Sequence, residues 1–295
     1  MAGQSNHFLI TLLVGLGSVE DGTAQVRPEM RTSWAPHDRA RSAHRSREFA
    51  IKALLAWLMD AVGSYTRIVQ TSPALVSEEI RYNLESASRE DKGLAARIHA
   101  LATDTGQARS GEVALLEVAA AWRNRLVHNH ATGRLSNAAV GSAMEQSELF
   151  LESYQGLDVG DLIERARRSP AHAPTFKEAT AIVRCAHKFV ERADEALLLG
   201  IDLEPYLWEV LRLYLVRDVE ARPDTLMRRA SNIWSRSFDR RRTTMRNIAI
   251  NAGFSASGEA PLNQLDPAVV DRIATWTPSE AALKLGARTD QPSNP

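Results

Sequence analysis

The sequence predicts an all-α protein. Three observations carry this: alternating β-branched runs are absent, Ala, Leu, Arg and Glu are abundant, and apolar residues recur at helical spacing between capping signals. Hydrophobic residues make up 44% and charged residues 24% of 295, the balance of a chain with a substantial core. That length suits one large domain, or an ordinary one with extensions.

The elements follow in order. Phe8 to Val19 (FLITLLVGLGSV) is too short to span a bilayer, no Lys or Arg precedes it, and no small-residue cleavage site follows. It predicts a buried N-terminal helix and no membrane partner. Residues 20–37, rich in Gly, Pro and polar groups, read as an irregular connection. A long helix is expected from about Ser46, a plausible N-cap, carrying Phe49, Leu54, Leu55, Trp57, Leu58 and Val62. Helices over 72–87 and 94–102 follow. After the break at Asp104-Thr105-Gly106, Ser110 caps a helix whose stripe is Val113, Leu115, Leu116, Ala119, Trp122 and Leu126, ending near Gly133.

A further helix is expected over 137–154. Ser169 to Pro174 breaks the chain, Thr175 opens the next helix, and Gly200 stops it. Residues 206–216 are apolar and helical, and 224–250 read as one Arg-rich helix. Residues 253–263 form a loop, Thr277-Pro278-Ser279-Glu280 is a capping box, and 286–295 a disordered tail. The expected organisation is an apolar helix and connection over 1–39, a helical domain over 40–205, a C-terminal helical region over 206–285, and the tail.

Composition narrows function less. With 36 basic and 36 acidic residues and a pI near 7.1, bulk charge argues neither for nor against nucleic acid. A single cysteine, Cys185, excludes an intrachain disulfide and any multi-cysteine metal site, and fits a cytoplasmic location. Its apolar helical surroundings make it a small core residue rather than a nucleophile. Phosphate-binding glycine loops and HExxH are absent, so neither cofactor nor metal is expected.

The chemistry-bearing stretch is Arg123-Asn124-Arg125-Leu126-Val127-His128. An Arg-x4-His pattern is expected about once by chance in a chain with these counts of Arg and His. Here it occurs four times, at Arg39/His44, Arg123/His128, Arg125/His130 and Arg167/His172. Only Arg123/His128 combines a polar residue after the Arg with an amphipathic helix; Pro170 interrupts the last pair. Metal-independent RNA cleavage needs proton transfer at the 2′-hydroxyl and the leaving 5′-oxygen, which histidine can supply near neutrality. A guanidinium can hold the charge that grows on the non-bridging oxygens. Asn124 and His128, at i and i+4, share a helix face, whereas Arg123 and His128 are about 140° apart. The competing reading is that an Arg and a His simply complement a helix C-terminus.

This stretch resembles the Arg-x4-6-His signature of HEPN domains, helical bundles many of which are ribonucleases of toxin–antitoxin, antiphage and RNA-surveillance systems. The resemblance spans residues 40 to about 200. It implies a HEPN-like bundle with N- and C-terminal helical extensions, acting as an endoribonuclease that leaves 2′,3′-cyclic phosphate and 5′-hydroxyl ends. It implies a homodimer whose two copies of Arg123 and His128 form one composite cleft, with an antitoxin or defence-system partner. Some relatives carry a modified Tyr two residues after the His; here that place holds His130, an auxiliary base or an exposed helix-end residue.

A second feature lies near the C-terminus. Between Arg228 and Arg246 stand seven arginines and one acid, Asp239, a local charge of +6. On one continuous helix Trp234, Phe238 and Met245 fall within about 40°, opposite Arg229, Arg236 and Arg240. With Arg241, these arginines are the candidate RNA-binding residues; the alternative is a solvated helix paired with acids elsewhere. Three functions remain: an endoribonuclease, a non-catalytic HEPN-like module binding RNA or protein, and a helical adaptor with no RNA role.

Overall fold

The computed structural model describes residues 2–25, 34, 36–89, 93–127, 134–216, 223–255 and 264–286. Among these, fourteen α-helices are found and no strand, only an isolated parallel bridge between Ser255 and Gln264. None of the helices is long and apolar enough to cross a membrane. The chain divides into two compact units: Met1–Val69 with Ser77–Ala196, and Gln70–Val76 with Leu197–Pro295.

In the first unit, α1 (Ala2–Glu20) lies along α2 (Arg39–Ile68). The pair Arg47–Glu20, at 2.5 Å, and Arg39 donating to the Gly22 carbonyl tie the two together. The expectation that α1 is buried is corrected. Ile10, Leu12 and Val14 are exposed, Val14 by 69%. The helix is apolar all round, so packing on α2 covers only one of its sides. The start of α2 is also corrected, from Ser46 to Arg39. Asp38 supplies the cap, its carboxylate accepting from the Arg41 N–H at 2.8 Å.

Helix α3 (Glu78–Arg89) begins later than expected, after Ser77, whose hydroxyl accepts from the Ile80 N–H. Then come α4 (Gly93–Asp104) and α5 (Gly111–Val127), where Ser110 accepts from the Val113 N–H as predicted. The single helix expected over 137–154 is two, α6 (Asn137–Glu145) and α7 (Ser147–Ser153). Gln146 is the reason: its side chain accepts from the Gly111 N–H at 2.8 Å and donates to the Arg109 carbonyl at 2.7 Å. One side chain thereby serves open backbone groups at the start of α5.

Two helices not anticipated complete this part of the inventory. One is α8 (Val159–Arg167), capped by Asp158; the other, in the second unit, is described below. Helix α9 (Phe176–Gly200) opens with a reciprocal box, Glu178 accepting from the Thr175 N–H and Thr175 from the Glu178 N–H. Helix α5 is central: Gly111 to Ala120 is buried apart from Glu117, and α2, α4, α6 and α8 all pack on it. Cys185 is fully buried on α9, and burial pushes its thiol up to about 12, as an inert core residue requires.

The second unit contains α10 (Leu203–Val216), α11 (Pro223–Trp234), α12 (Phe238–Asn251), the unanticipated α13 (Pro267–Ala274), and α14 (Pro278–Gly286). The predicted capping box holds: Glu280 accepts from the Thr277 N–H at 2.7 Å, and Thr277 from the Glu280 N–H. Three tryptophans organise the core. Trp208 meets Trp276 edge-on, Trp234 stacks on Trp276, and the Trp234 indole donates to the Ile273 carbonyl. The single Arg-rich helix expected over 224–250 is corrected to two, broken at Ser235–Ser237. Arg241 supports the break, its guanidinium donating to the Arg236 carbonyl and to those of Ala274 and Trp276. The apolar stripe drawn on one continuous helix therefore dissolves. Trp234 and Met245 are buried, while Phe238 is exposed. The expected tail beyond Gly286 and most of the loop over 253–263 lie outside the described residues.

Candidate functional site

The end of α5 carries the motif. Trp122, just before it, is fully buried, and its indole N–H donates to the His172 carbonyl at 2.9 Å, which sets the rotation of this last stretch of helix. Arg123 then projects toward α2, where Nη2 meets Asp60 Oδ1 at 2.7 Å. Its Nη1 donates to Asn124 Oδ1 at 3.3 Å, while Nε is buried without a partner. The Arg123 side chain is 21% exposed and that of Asp60 65%, so the guanidinium is held from the solvent side by a single carboxylate.

The neighbouring arginine behaves differently. Arg125 donates to the carbonyls of Ala166, Arg167 and Arg168, at 2.5, 3.2 and 2.7 Å. These belong to the C-terminal end of α8, where carbonyls lack intrahelical partners and a cation is favoured. Within three residues, one arginine closes a helix end and the other holds an exposed carboxylate. His128 and His130 lie outside the described residues. The structure thus brings Arg123 and Asn124 together; the histidine's relation to them rests on helical spacing.

Two groups near the motif escaped sequence reasoning. Asp60 stands 63 residues before Arg123, and nothing local marks it. His99 on α4 sits with Nδ1 2.9 Å from Glu117 Oε1. Burial pushes the Glu117 carboxyl up, and His99 opposes that shift. Glu117 precedes Asn124 by two turns and shares its helix face within about 20°. An imidazole oriented by a half-buried carboxylate is an arrangement suited to proton transfer, but two turns is about 10 Å along the axis, too far to serve a phosphate held at Arg123.

At the opposite end of α5, Glu112 is buried and collects three partners: the Tyr154 hydroxyl at 3.2 Å, Lys188 at 3.4 Å and Arg192 at 3.7 Å. Burial pushes its carboxyl up, but its own backbone N–H, Arg192 and Lys188 outweigh that and hold it below the ordinary glutamate range. Burial, helped by Cys185 and Glu112, pushes the Tyr154 hydroxyl well above the ordinary tyrosine range.

The candidate RNA-binding arginines separate into two kinds. Arg229 donates to the Leu215 and Val216 carbonyls at the end of α10, and Arg241 holds the break described above. Arg236 and Arg240 are exposed, as are Arg228 and Arg246. Arg242 pairs with Asp271 at 2.9 Å. Among the described residues, no group of three or more His, Cys, Asp or Glu could hold a metal ion.

No family model, curated protein or solved structure matches the chain.

Proposed function

We propose that the chain is a metal-independent endoribonuclease of HEPN type, acting in the cytoplasm in antiphage defence or a toxin–antitoxin system. The observation that carries this reading is Arg123, gripped by Asp60 and Asn124 but partly exposed near the end of α5. A guanidinium fixed on one side keeps N–H donors for a phosphate and loses little freedom on binding it. His128 transfers the proton, Asn124 orients the imidazole, and Arg123 stabilises the charge on the non-bridging oxygens. A homodimer supplies the second copy of the motif, because cleavage needs both an acid and a base.

The test is cleavage of total RNA in EDTA by wild type, Arg123→Ala and His128→Ala. The reading requires cyclic-phosphate ends from wild type and none from either variant, with the fold retained. Intact cleavage in both variants ends it.

A second reading has its own observation. Arg228, Arg236, Arg240 and Arg246 are exposed on α11, α12 and the break between them. In a non-catalytic RNA- or protein-binding module these arginines carry affinity and the motif does not. Charge reversal at Arg236 and Arg240 then abolishes binding, while alanine at Arg123 and His128 leaves it intact.

A further inference from the structure

A groove on the first unit runs between the turn after α7 and the first three turns of α9. Its lining includes Gln155, Lys177, Thr180, Arg184 and His187, over a floor formed by Tyr154. Lys177, Thr180, Arg184 and His187 fall within about 80° of one another on α9, so they form one stripe. The lining holds three basic side chains and no acid.

In a chain with as many acids as bases this asymmetry is local, and its boundary is sharp. Lys188 and Arg192, a step around the same helix, share the buried Glu112 carboxylate, at 3.4 and 3.7 Å. No ion pair forms at Lys177, Arg184 or His187 among the described residues. The two permanent cations are instead pinned by backbone. Lys177 Nζ donates to the Gly156 carbonyl at 2.8 Å, and Arg184 Nη1 to the Ser153 carbonyl at 2.6 Å. Each bond uses one donor and leaves the others available.

The turn that supplies these carbonyls is itself unusual. Gln155 has φ +58°, the one positive φ at a non-glycine position among the described residues, and Gly156 follows at +70°. Side chains rarely adopt this conformation, which tends to persist where surrounding structure or function requires it. Here it closes α7, the Gly156 N–H donating to the Leu151 carbonyl at 2.9 Å, and Gln155 joins the lining of the groove.

We propose that this groove is a binding site for a phosphate group, held by Lys177, Arg184 and His187. Lys177, Arg184 and His187 line the groove without a carboxylate, so a compact oxyanion can take up the donors that the backbone carbonyls leave open. The floor selects against a stacked base, because Arg184 and Lys188 already lie over the Tyr154 ring, at 5.1 and 5.2 Å from its centroid. The phosphate can belong to a small molecule or to an RNA strand. The site is separate from Arg123 and stands whether or not the chain cleaves RNA.

The experiment uses the full chain and three probes: inorganic phosphate and AMP by titration calorimetry, and a fluorescent single-stranded 2′-O-methyl RNA by anisotropy. The modified RNA lacks the hydroxyl that cleavage would use. The expected result is saturable binding of at least one probe, weakened tenfold or more in Lys177→Gln/Arg184→Gln, since each lost bond to a charged group is worth about that factor. Binding of phosphate or AMP identifies a small-molecule source; binding of the RNA alone identifies a strand. Because both replaced side chains also brace the turn, His187→Gln serves as the second variant. It makes no hydrogen bond in the turn, and it should weaken the same probe about threefold with an unchanged melting curve. Wild-type binding of none of the probes, or full binding in a folded double variant or in His187→Gln, overturns the proposal.

Discussion

Arg123 and Arg125 stand two residues apart on α5, and their surroundings predict opposite phenotypes when each is cut to alanine. Arg125→Ala strips three carbonyls at the end of α8 of their donor. Hydrogen bonds to charged groups are worth about 1.5–3 kcal/mol each, but these are partly exposed and water can replace them in part. A total of about 2 kcal/mol follows, including the favourable position of a cation at a helix C-terminus. For a unit of this size that lowers Tm by about 4–8 °C. Arg123→Ala removes one ion pair to a carboxylate that is 65% exposed. Such pairs contribute about 0.2–1 kcal/mol, a shift of about 4 °C at most. Circular dichroism melts of both variants give the stabilities, and RNA cleavage in EDTA gives the activities. The expected pattern is a destabilised Arg125→Ala that still cleaves at low temperature, and a stable Arg123→Ala that does not. If Arg123→Ala melts as early as Arg125→Ala and cleaves like wild type, Arg123 is a structural pin between α5 and α2, and the site reading fails.

Three further outcomes follow from the same geometry. Glu112 releases its proton more readily folded than unfolded, so its contribution to stability is present above the ordinary glutamate pKa of about 4.3 and lost as pH falls through the lower folded value. Glu112→Gln should therefore destabilise at pH 7 by about 1–3 kcal/mol, with the gap to wild type closing in melts taken below about pH 4; a gap independent of pH contradicts the assignment. Trp122→Phe leaves the His172 carbonyl without its donor and opens a gap beside α5. A loss of about 2–3 kcal/mol in urea titrations is expected, and a loss under about 0.5 kcal/mol would show that the indole bond does not hold this helix. Arg236→Glu/Arg240→Glu should weaken RNA binding and flatten its salt dependence by about two units of slope, whereas Arg229→Gln, whose native guanidinium faces backbone carbonyls, should chiefly lower stability.

Several elements could be read before any coordinates because their signals are local. Ser110, and Thr277 with Glu280, complete caps within four residues as predicted, and Thr175, expected to open α9, does so in a box with Glu178 that was not foreseen. Breaks set by distant partners escaped. Gln146 divides α6 from α7 because its amide is needed at Arg109 and Gly111. Arg241 stabilises the end of α11 by reaching carbonyls more than thirty residues away. Asp38 displaced Ser46 as a cap because both are good N-cap residues, and propensity alone does not rank two such sites.

Residue order alone settled the helical class, the caps at Ser110 and Thr277 and the apolar periodicity, because each depends on side chains within a turn or two of one another. It also singled out Arg123 and Asn124 as a pair on one helix. Only the folded chain decided which charges are committed. Arg125, Arg229 and Arg241 face backbone carbonyls, Arg123 faces Asp60, and Lys177 with Arg184 border a groove without an acid. The reason is geometric. A guanidinium reaches several ångströms from its own helix, so its partner is chosen by what the tertiary fold brings alongside, and no spacing along the chain encodes that choice.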